Sequence, residues 1–337
     1  MNYRSLTICP LLLAGMAVAA VSHAETAEDA TQDETYTPLA LLNRPAPAPV
    51  TEYDGILRLG AAYTNDDNYM FGQYNGLYED GATAIADLYW QAFTGGEDYW
   101  QVSMSDLGLD TREGRATWGR PDRLRIEAGF DSQKQVRNDS GRTPFIGSTN
   151  QTLPGDWVTG QTTAEFATLD SALRSFDREL ERDKLFLGVD ARINDQWRLE
   201  SNLSYEEKEG YGDIGAGIYI NGASADAALL RSPVDYTTTE FVLGLAFSDD
   251  KLHVTGQLAY SDFDNDDELL IWQNPYNAFG PDVSNPNGTG GLQLAPDNEQ
   301  VSGRLTGHYI FGPRARLQVD SSYAIATQDQ DLSLIHI

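Results

Sequence analysis

Cysteine is almost missing from these 337 residues, and the one present, Cys9, lies in the first two dozen. Downstream of it there are no disulfides, no thiolate metal site and no Cys-x-x-Cys-His haem attachment. Histidine is scarce too. His23 belongs to the leader and His336 to the last few residues, which leaves His253 and His308, too few for haem ligation or a metal cluster. Positive charge is in deficit, with 23 Lys and Arg against 51 Asp and Glu. That balance argues against nucleic acid as a partner. There is no Gly-x-Ser-x-Gly elbow, no phosphate loop and no His-Glu-x-x-His. The acidic run Asp262, Asp264, Asp266, Asp267 and Glu268 lacks the spacing of a calcium loop and reads as a solvated outer loop. No catalytic, cofactor-binding or metal-ligating residue is assigned, and the chain is read as a non-enzyme.

What is present begins with an export signal. Arg4 precedes the apolar run Leu11 to Val21, and Ser22-His23-Ala24 precedes Glu25. This is a secretory leader, residues 1–24, cleaved after Ala24; the apolar run is too short for an anchor. Its removal takes one basic and no acidic residue, leaving 22 against 51, a net −29. Residues 25–50 are acidic and then Pro/Ala-rich (Arg44-Pro45-Ala46-Pro47-Ala48-Pro49), which predicts a poorly ordered periplasmic arm. No later stretch is apolar enough for a transmembrane helix.

From about Thr51 the apolar residues recur with period two. Tyr53, Leu57, Leu59, Ala61 and Tyr63 share one strand face, and Asp54, Arg58 and Thr64 the other. Leu124, Ile126, Ala128 and Phe130 alternate with Arg123, Arg125, Glu127 and Asp131. The spacing predicts eleven strands, at about 51–64, 81–93, 98–106, 110–118, 123–133, 183–193, 197–207, 238–248, 251–262, 300–311 and 314–326. A soluble sandwich alternates in the same way, so alternation alone does not separate it from a membrane barrel. Aromatic residues near strand ends, among them Tyr53, Tyr63, Trp90, Trp100, Trp118, Phe130, Trp197, Tyr205, Phe247, Tyr260, Tyr309, Phe311 and Tyr323, suit two interfacial girdles.

Loop length separates the two folds. Connections at 94–97, 119–122, 194–196, 249–250 and 312–313 are tight; those at 66–80, 140–182, 208–237 and 263–299 are long. Counted from a periplasmic N-terminus, every tight turn falls on the periplasmic side and every long loop outside, with one short outer turn near Gly108. Outer-membrane barrels have this asymmetry, and a sandwich has no cause to sort its loops by end. The reading is all-β: a transmembrane antiparallel up-and-down β-barrel of the outer membrane, here an incomplete set of about eleven strands over residues 51–330. Bacterial single-chain barrels have an even strand count. The last residues, Leu332-Ser333-Leu334-Ile335-His336-Ile337, read as an in-frame sequencing adapter. The expectation is therefore a truncated N-terminal portion with residues 332–337 as artefact.

Four segments carry a family resemblance. They are Asn68-Tyr69-Met70-Phe71-Gly72-Gln73-Tyr74-Asn75-Gly76-Leu77-Tyr78-Glu79-Asp80-Gly81; Thr143-Pro144-Phe145-Ile146-Gly147 followed by Leu153-Pro154-Gly155-Asp156-Trp157-Val158; Pro233-Val234-Asp235-Tyr236-Thr237-Thr238; and Leu294-Ala295-Pro296-Asp297-Asn298. In this order they resemble the MtrB/PioB family of decahaem-associated outer-membrane proteins, whose barrel is about twice this long. The Cys-x-x-Cys of some members is absent, and its role is not carried over. The resemblance implies a sheath that encloses a periplasmic multihaem c-type cytochrome for electron transfer across the outer membrane, in metal reduction or iron oxidation. The partners it implies are that cytochrome in the lumen, an extracellular multihaem cytochrome, and outer-membrane lipid. Haem is supplied by the partner, and this chain binds no cofactor. A lumen lined by Arg58, Arg123, Arg125, Arg192, Arg198, Arg304 and Arg316 with acidic partners is suited to grip a soluble cytochrome, although each charge taken singly reads as merely solvated. The alternative is a general porin or passive channel, which the same polar lumen would serve.

Overall fold

The computed structural model describes residues 53–66, 69–94, 98–160, 162–220, 224–276 and 288–328. The leader, the acidic and Pro/Ala-rich arm, and residues 332–337 lie outside the described residues. The elements are, in order, β1 (Tyr53–Thr64), α1 (Tyr69–Asn75), β2 (Gly81–Thr94), β3 (Asp98–Leu107), β4 (Glu113–Arg120), β5 (Leu124–Thr143), β6 (Asn150–Gln151) and β7 (Arg174–Arg192). There follow β8 (Trp197–Ile220), β9 (Ser224–Ser248), β10 (Leu252–Asn265), β11 (Leu269–Gln273), β12 (Thr289–Gln293), β13 (Asn298–Gly312) and β14 (Ala315–Gln328).

Eleven of these strands form one antiparallel sheet, in which strands adjacent in sequence are adjacent in space: β1-β2-β3-β4-β5-β7-β8-β9-β10-β13-β14. They are the eleven strands the alternation predicts. Side chains on a strand point alternately to opposite faces, so a one-residue slip in any pairing would mix the faces. No such slip occurs along the row Tyr53, Ala92, Trp100, Trp118, Ile126, Val189, Ser201, Leu243, Leu258, Gly303 and Tyr323, which are mutual partners strand by strand. The row also climbs. It starts on the first residue of β1 and ends well inside β14, the stagger that goes with strands tilted to a barrel axis.

The tight turns are built by side chains. Asn194 Oδ1 accepts from the backbone N–H groups of Gln196 and Trp197, at 2.9 and 3.0 Å. Asp249 Oδ1 accepts from those of Lys251 and Leu252, at 2.8 and 2.7 Å. Both are local bonds of the kind Asx residues favour in turns. These two backbone donors also hold the Asp249 carboxyl below its ordinary range. Asp122 takes φ 59°, a left-handed conformation that Asp tolerates in a short turn.

The structure differs from the strand expectations on the side away from the tight turns. The predicted 208–237 loop is mostly strand: β8 and β9 continue as a paired hairpin to Ile220 and from Ser224. Likewise β5 and β7 stay paired, with two register shifts, up to Thr143 and down to Arg174. Upper β5 and β7 carry polar residues on both faces, and the backbone keeps pairing although the hydrophobic period fades. The loops at 140–182 and 263–299 contain a second sheet, β12-β11-β6. In it β11 and β12 run antiparallel, and β11 and β6 run parallel. Among the described residues no helix is long and apolar enough to cross a membrane.

Candidate functional site

The candidate site is the eleven-stranded wall with the cap folded above it. One wall face is an apolar belt. Cross-strand partners on it include Leu57 and Leu88, Leu187 and Leu203, Leu199 and Leu245, and Tyr309 and Leu317. Among the described residues nothing covers it: Leu59 is 76 % exposed and Leu258 59 %. A sandwich would bury this face under a second sheet. Near the tight turns the belt ends in aromatic pairs, Trp100 with Trp118 at 6.0 Å, Trp197 with Phe247 at 5.0 Å and Tyr309 with Phe311 at 4.8 Å between ring centroids. These are girdle positions.

The opposite face is polar, and its charges pair across strands. Arg198 binds Asp190 through two nitrogens, with the Nε contact at 2.9 Å. Arg125 and Arg115 both reach Glu127, Arg115 at 3.1 Å. Arg304 holds Asp320 through Nε at 3.2 Å and through a second nitrogen at 2.7 Å. Arg192 meets Asp195 of its own turn at 3.3 Å. Four of the seven predicted lumen arginines (Arg125, Arg192, Arg198 and Arg304) are thus engaged with the wall's own acids. Arg58, Arg123 and Arg316 make no ion pair among the described residues. Such exposed pairs contribute little stability, but they leave a dense, hydrated array of donors and acceptors. The wall adds partners that alternation could not reveal, because Arg115, Arg120 and Asp320 find theirs through register.

Above the belt, on the same parity, the side chains turn acidic: Glu181 and Asp183 on β7, Glu207 and Glu209 on β8, Asp235 on β9, and Asp262 and Asp264 on β10. Burial raises the Glu209 carboxyl above its ordinary range, and the charges of Asp235, Glu207, Glu181 and Asp183 add to this. Burial raises Asp235 as well, reinforced by Asp266 and Glu207. Among the described residues, no group of three or more His, Cys, Asp or Glu is placed to hold a metal ion.

The cap supplies the true hydrophobic core. Phe145, Leu153, Phe166, Ala228, Leu230, Leu270, Trp272 and Tyr276 form one buried cluster. Trp157 packs on Phe166 at 4.9 Å, and Phe166 on Tyr276 at 5.1 Å. Its polar atoms are tied down. The Trp157 indole N–H donates to the Pro275 carbonyl at 3.0 Å. The Tyr276 hydroxyl donates to the Ala227 carbonyl at 3.1 Å. The Leu153 N–H donates to Gln273 Oε1 at 2.9 Å. Ala228 and Leu230 belong to the upper part of β9, so the cap is seated on the β8–β9 hairpin.

The segment after β1 does a different job. β4 pairs with β5 only as far as Asp131, which leaves the upper edge of β5 without a strand neighbour on that side. α1 and Tyr78 cover it: the Gln73 side-chain amide donates to the Val136 carbonyl at 2.8 Å, and the Tyr78 hydroxyl to the Lys134 carbonyl at 2.7 Å. Covering an open edge removes a template for unwanted pairing. The glycines are required for it. A Cβ on Gly72 would stand 2.3 Å from the Tyr78 ring, and Gly76 has φ +72° with Thr111 Oγ1 2.5 Å from any Cβ. Beneath this strap the Lys134 ammonium gathers Glu181 at 3.1 Å, Glu179 at 3.4 Å and Asp110 at 3.7 Å. Burial alone would lower its pKa; the Glu181 hydrogen bond and the three acidic charges outweigh that and raise it.

The four resemblance segments therefore lie above the belt: in the strap, in the cap core, on upper β9, and beside Asn265. The Asn265 N–H donates to Asp297 and its side-chain amide to the Ala295 carbonyl, both at 2.8 Å.

The chain is 25 % identical over 264 residues to the outer membrane protein MtrB of Shewanella baltica (strain OS185), an alignment covering 77 % of this chain. The chain spans 36 % of that relative's length. Solved structures with a similar arrangement include the trimeric form of the outer-membrane protein OmpT of Vibrio cholerae (11 % identity, 81 % of this chain and 67 % of that one, TM-score 0.32). A mutant of the monoaromatic hydrocarbon channel TodX also matches (14 % identity, 89 % and 81 %, TM-score 0.27). Residues 63–336 match the profile of the outer membrane beta-barrel porin family MtrB/PioB. With that match over most of its length, the chain belongs to the MtrB/PioB family of outer-membrane β-barrel proteins.

Proposed function

We propose that this wall sheathes a periplasmic multihaem c-type cytochrome and holds it across the outer membrane as a path for electrons. The observation that carries the reading is the width of the wall. Eight strands suffice to close a barrel whose interior is filled by side chains, and larger barrels enclose channels or plugs. Here eleven consecutive strands stand side by side, and among the described residues β1 and β14 each pair on one side only. A wall wider than eight strands goes with a lumen that holds a channel or a plug and not a packed core. Its inner face is hydrated and rich in mixed-sign donors and acceptors, which suits a soluble protein surface held by charge and hydrogen bonds. Haem belongs to the enclosed partner; the barrel contributes insulation from lipid and a fixed position.

The same face would also line a passive channel, and one experiment separates the two. Proteoliposomes carry the full-length barrel with or without the periplasmic multihaem cytochrome encoded beside it, an external reductant and an enclosed redox dye. A sheath passes electrons only when both proteins are present, and its ion conductance falls when the cytochrome fills it. A porin conducts ions alone and continues to do so after the cytochrome is added. A locus without a multihaem cytochrome gene would also speak for the porin.

A further inference from the structure

Only two histidines lie among the described residues, and strand register sets them directly opposite each other: His253 on β10 pairs with His308 on β13. Their rings stack with centroids 5.3 Å apart and planes 28° from parallel. Their neighbours Leu252, Val254, Gly307 and Tyr309 belong to the belt rows, so alternation puts both imidazoles on the polar, lumen face near the tight turns. Among the described residues neither ring meets a carboxylate, and the contact their ring nitrogens make is a long one, His253 Nε2 to Thr255 Oγ1 at 3.4 Å. The nearest acid of β14, Asp320, is occupied by Arg304. Along the same row Ser248 flanks His253 and Gln318 flanks His308.

Imidazole nitrogen suits borderline divalent ions such as Cu²⁺, Ni²⁺ and Zn²⁺, whereas Ca²⁺ and Mg²⁺ require oxygen ligands. Two imidazoles directly opposite on adjacent strands form a chelating pair once the rings turn out of the stack, since an ion lies in the plane of each imidazole that binds it. We propose that His253 and His308 together bind a divalent first-row transition-metal ion on the lumen wall, with the Gln318 amide oxygen and water completing its coordination. With only two protein nitrogens the site is open and exchangeable. It is no structural zinc centre, since those are closed by four ligands.

The test is one equivalent of Cu²⁺ added to the full chain folded in detergent, read by electron paramagnetic resonance and by titration calorimetry. The expected spectrum shows two coordinated nitrogens. Replacing either histidine should leave one nitrogen and weaken binding by about tenfold or more, and Gln318→Ala should weaken it less. Folding of each variant is checked by heat-dependent gel mobility. Should His253→Ala or His308→Ala fail to fold, the His253→Asn and His308→Asn variants keep a polar side chain of similar size on the same strand. Unchanged affinity and spectrum in the double Asn variant would overturn the site, and so would a one-nitrogen spectrum in the parent chain.

Discussion

Leucines in the wall and leucines in the cap obey opposite rules. On β10, Leu258 is 59 % exposed in the middle of the belt, whereas Leu230 and Leu270 in the cap are fully buried. The cap is an ordinary aqueous core: it excludes water by packing side chain on side chain. The wall packs its apolar face on nothing within the described chain, so that face is stable only against lipid. The difference teaches where each part gets its stability. The cap carries its own, and the wall borrows it from the membrane.

The sharpest way to break this comparison is to hollow the cap. Trp272 is buried in its centre, and Trp272→Ala should cost about 3–5 kcal/mol of local stability, the usual loss for a large core aromatic. The measurement is protease sensitivity and amide exchange of residues 145–172 and 269–276. Because the cap is a separate core, the wall should keep its heat-dependent gel mobility. Loss of the folded barrel along with the cap would show that the two are one cooperative unit.

Next is a charge in the belt. Leu258→Arg should destabilise the inserted barrel by about 2–4 kcal/mol, the range for arginine near the bilayer midplane. Its sequence neighbour Gln257 points to the opposite face, and Gln257→Arg should stay near neutral. Urea unfolding in lipid vesicles measures both. Equal effects for the two substitutions would mean that the faces are not divided between lipid and water. The strap comes third. Gly72→Ala forces the Tyr78 ring away, and Tyr78→Phe removes the hydroxyl that donates to Lys134. The second should cost about 0.5–1.5 kcal/mol, the net value of one hydrogen bond. The effect should be confined to exchange protection of residues 132–143, the edge the strap covers.

Much of the wall is legible in the sequence because two media impose period two on it. Leu124, Ile126, Ala128 and Phe130 announce β5, and Asn194 and Asp249 announce their turns. The cap is not legible in that way. Phe145, Leu153, Leu230, Leu270 and Trp272 are scattered over more than a hundred residues with no shared period, and only the fold brings them together. The upper halves of β8 and β9 escape notice for a different reason: their apolar residues Ile214, Ala216, Ala228 and Leu230 face the cap core and are interleaved with glycines and charges, so a paired strand looks like a loop. Of the lumen, the arginine positions are legible but not their bonds. Arg198 and Asp190 meet only because register sets β7 against β8, and the pairing of His253 with His308 is likewise a matter of register.

The smallest effect concerns the acidic band between wall and cap, and its sign is opposite to that of a salt-bridged carboxylate. Glu209 and Asp235 both have pKa values raised by burial and by neighbouring acids. A carboxyl with a raised folded-state pKa contributes stability below its unfolded pKa, and that contribution is lost as pH rises through the raised value. The upper β8–β9 hairpin should therefore be better protected from amide exchange in mild acid than at neutral pH. Glu209→Gln should protect it at pH 7 and change nothing once the carboxyl is protonated. Added salt should shrink the part of the difference that comes from repulsion between the neighbouring acids, which salt screens. Should the hairpin instead open in acid, the band would be held by cations or ion pairs, and the boundary between lipid-supported wall and self-supported cap would lie higher on these strands.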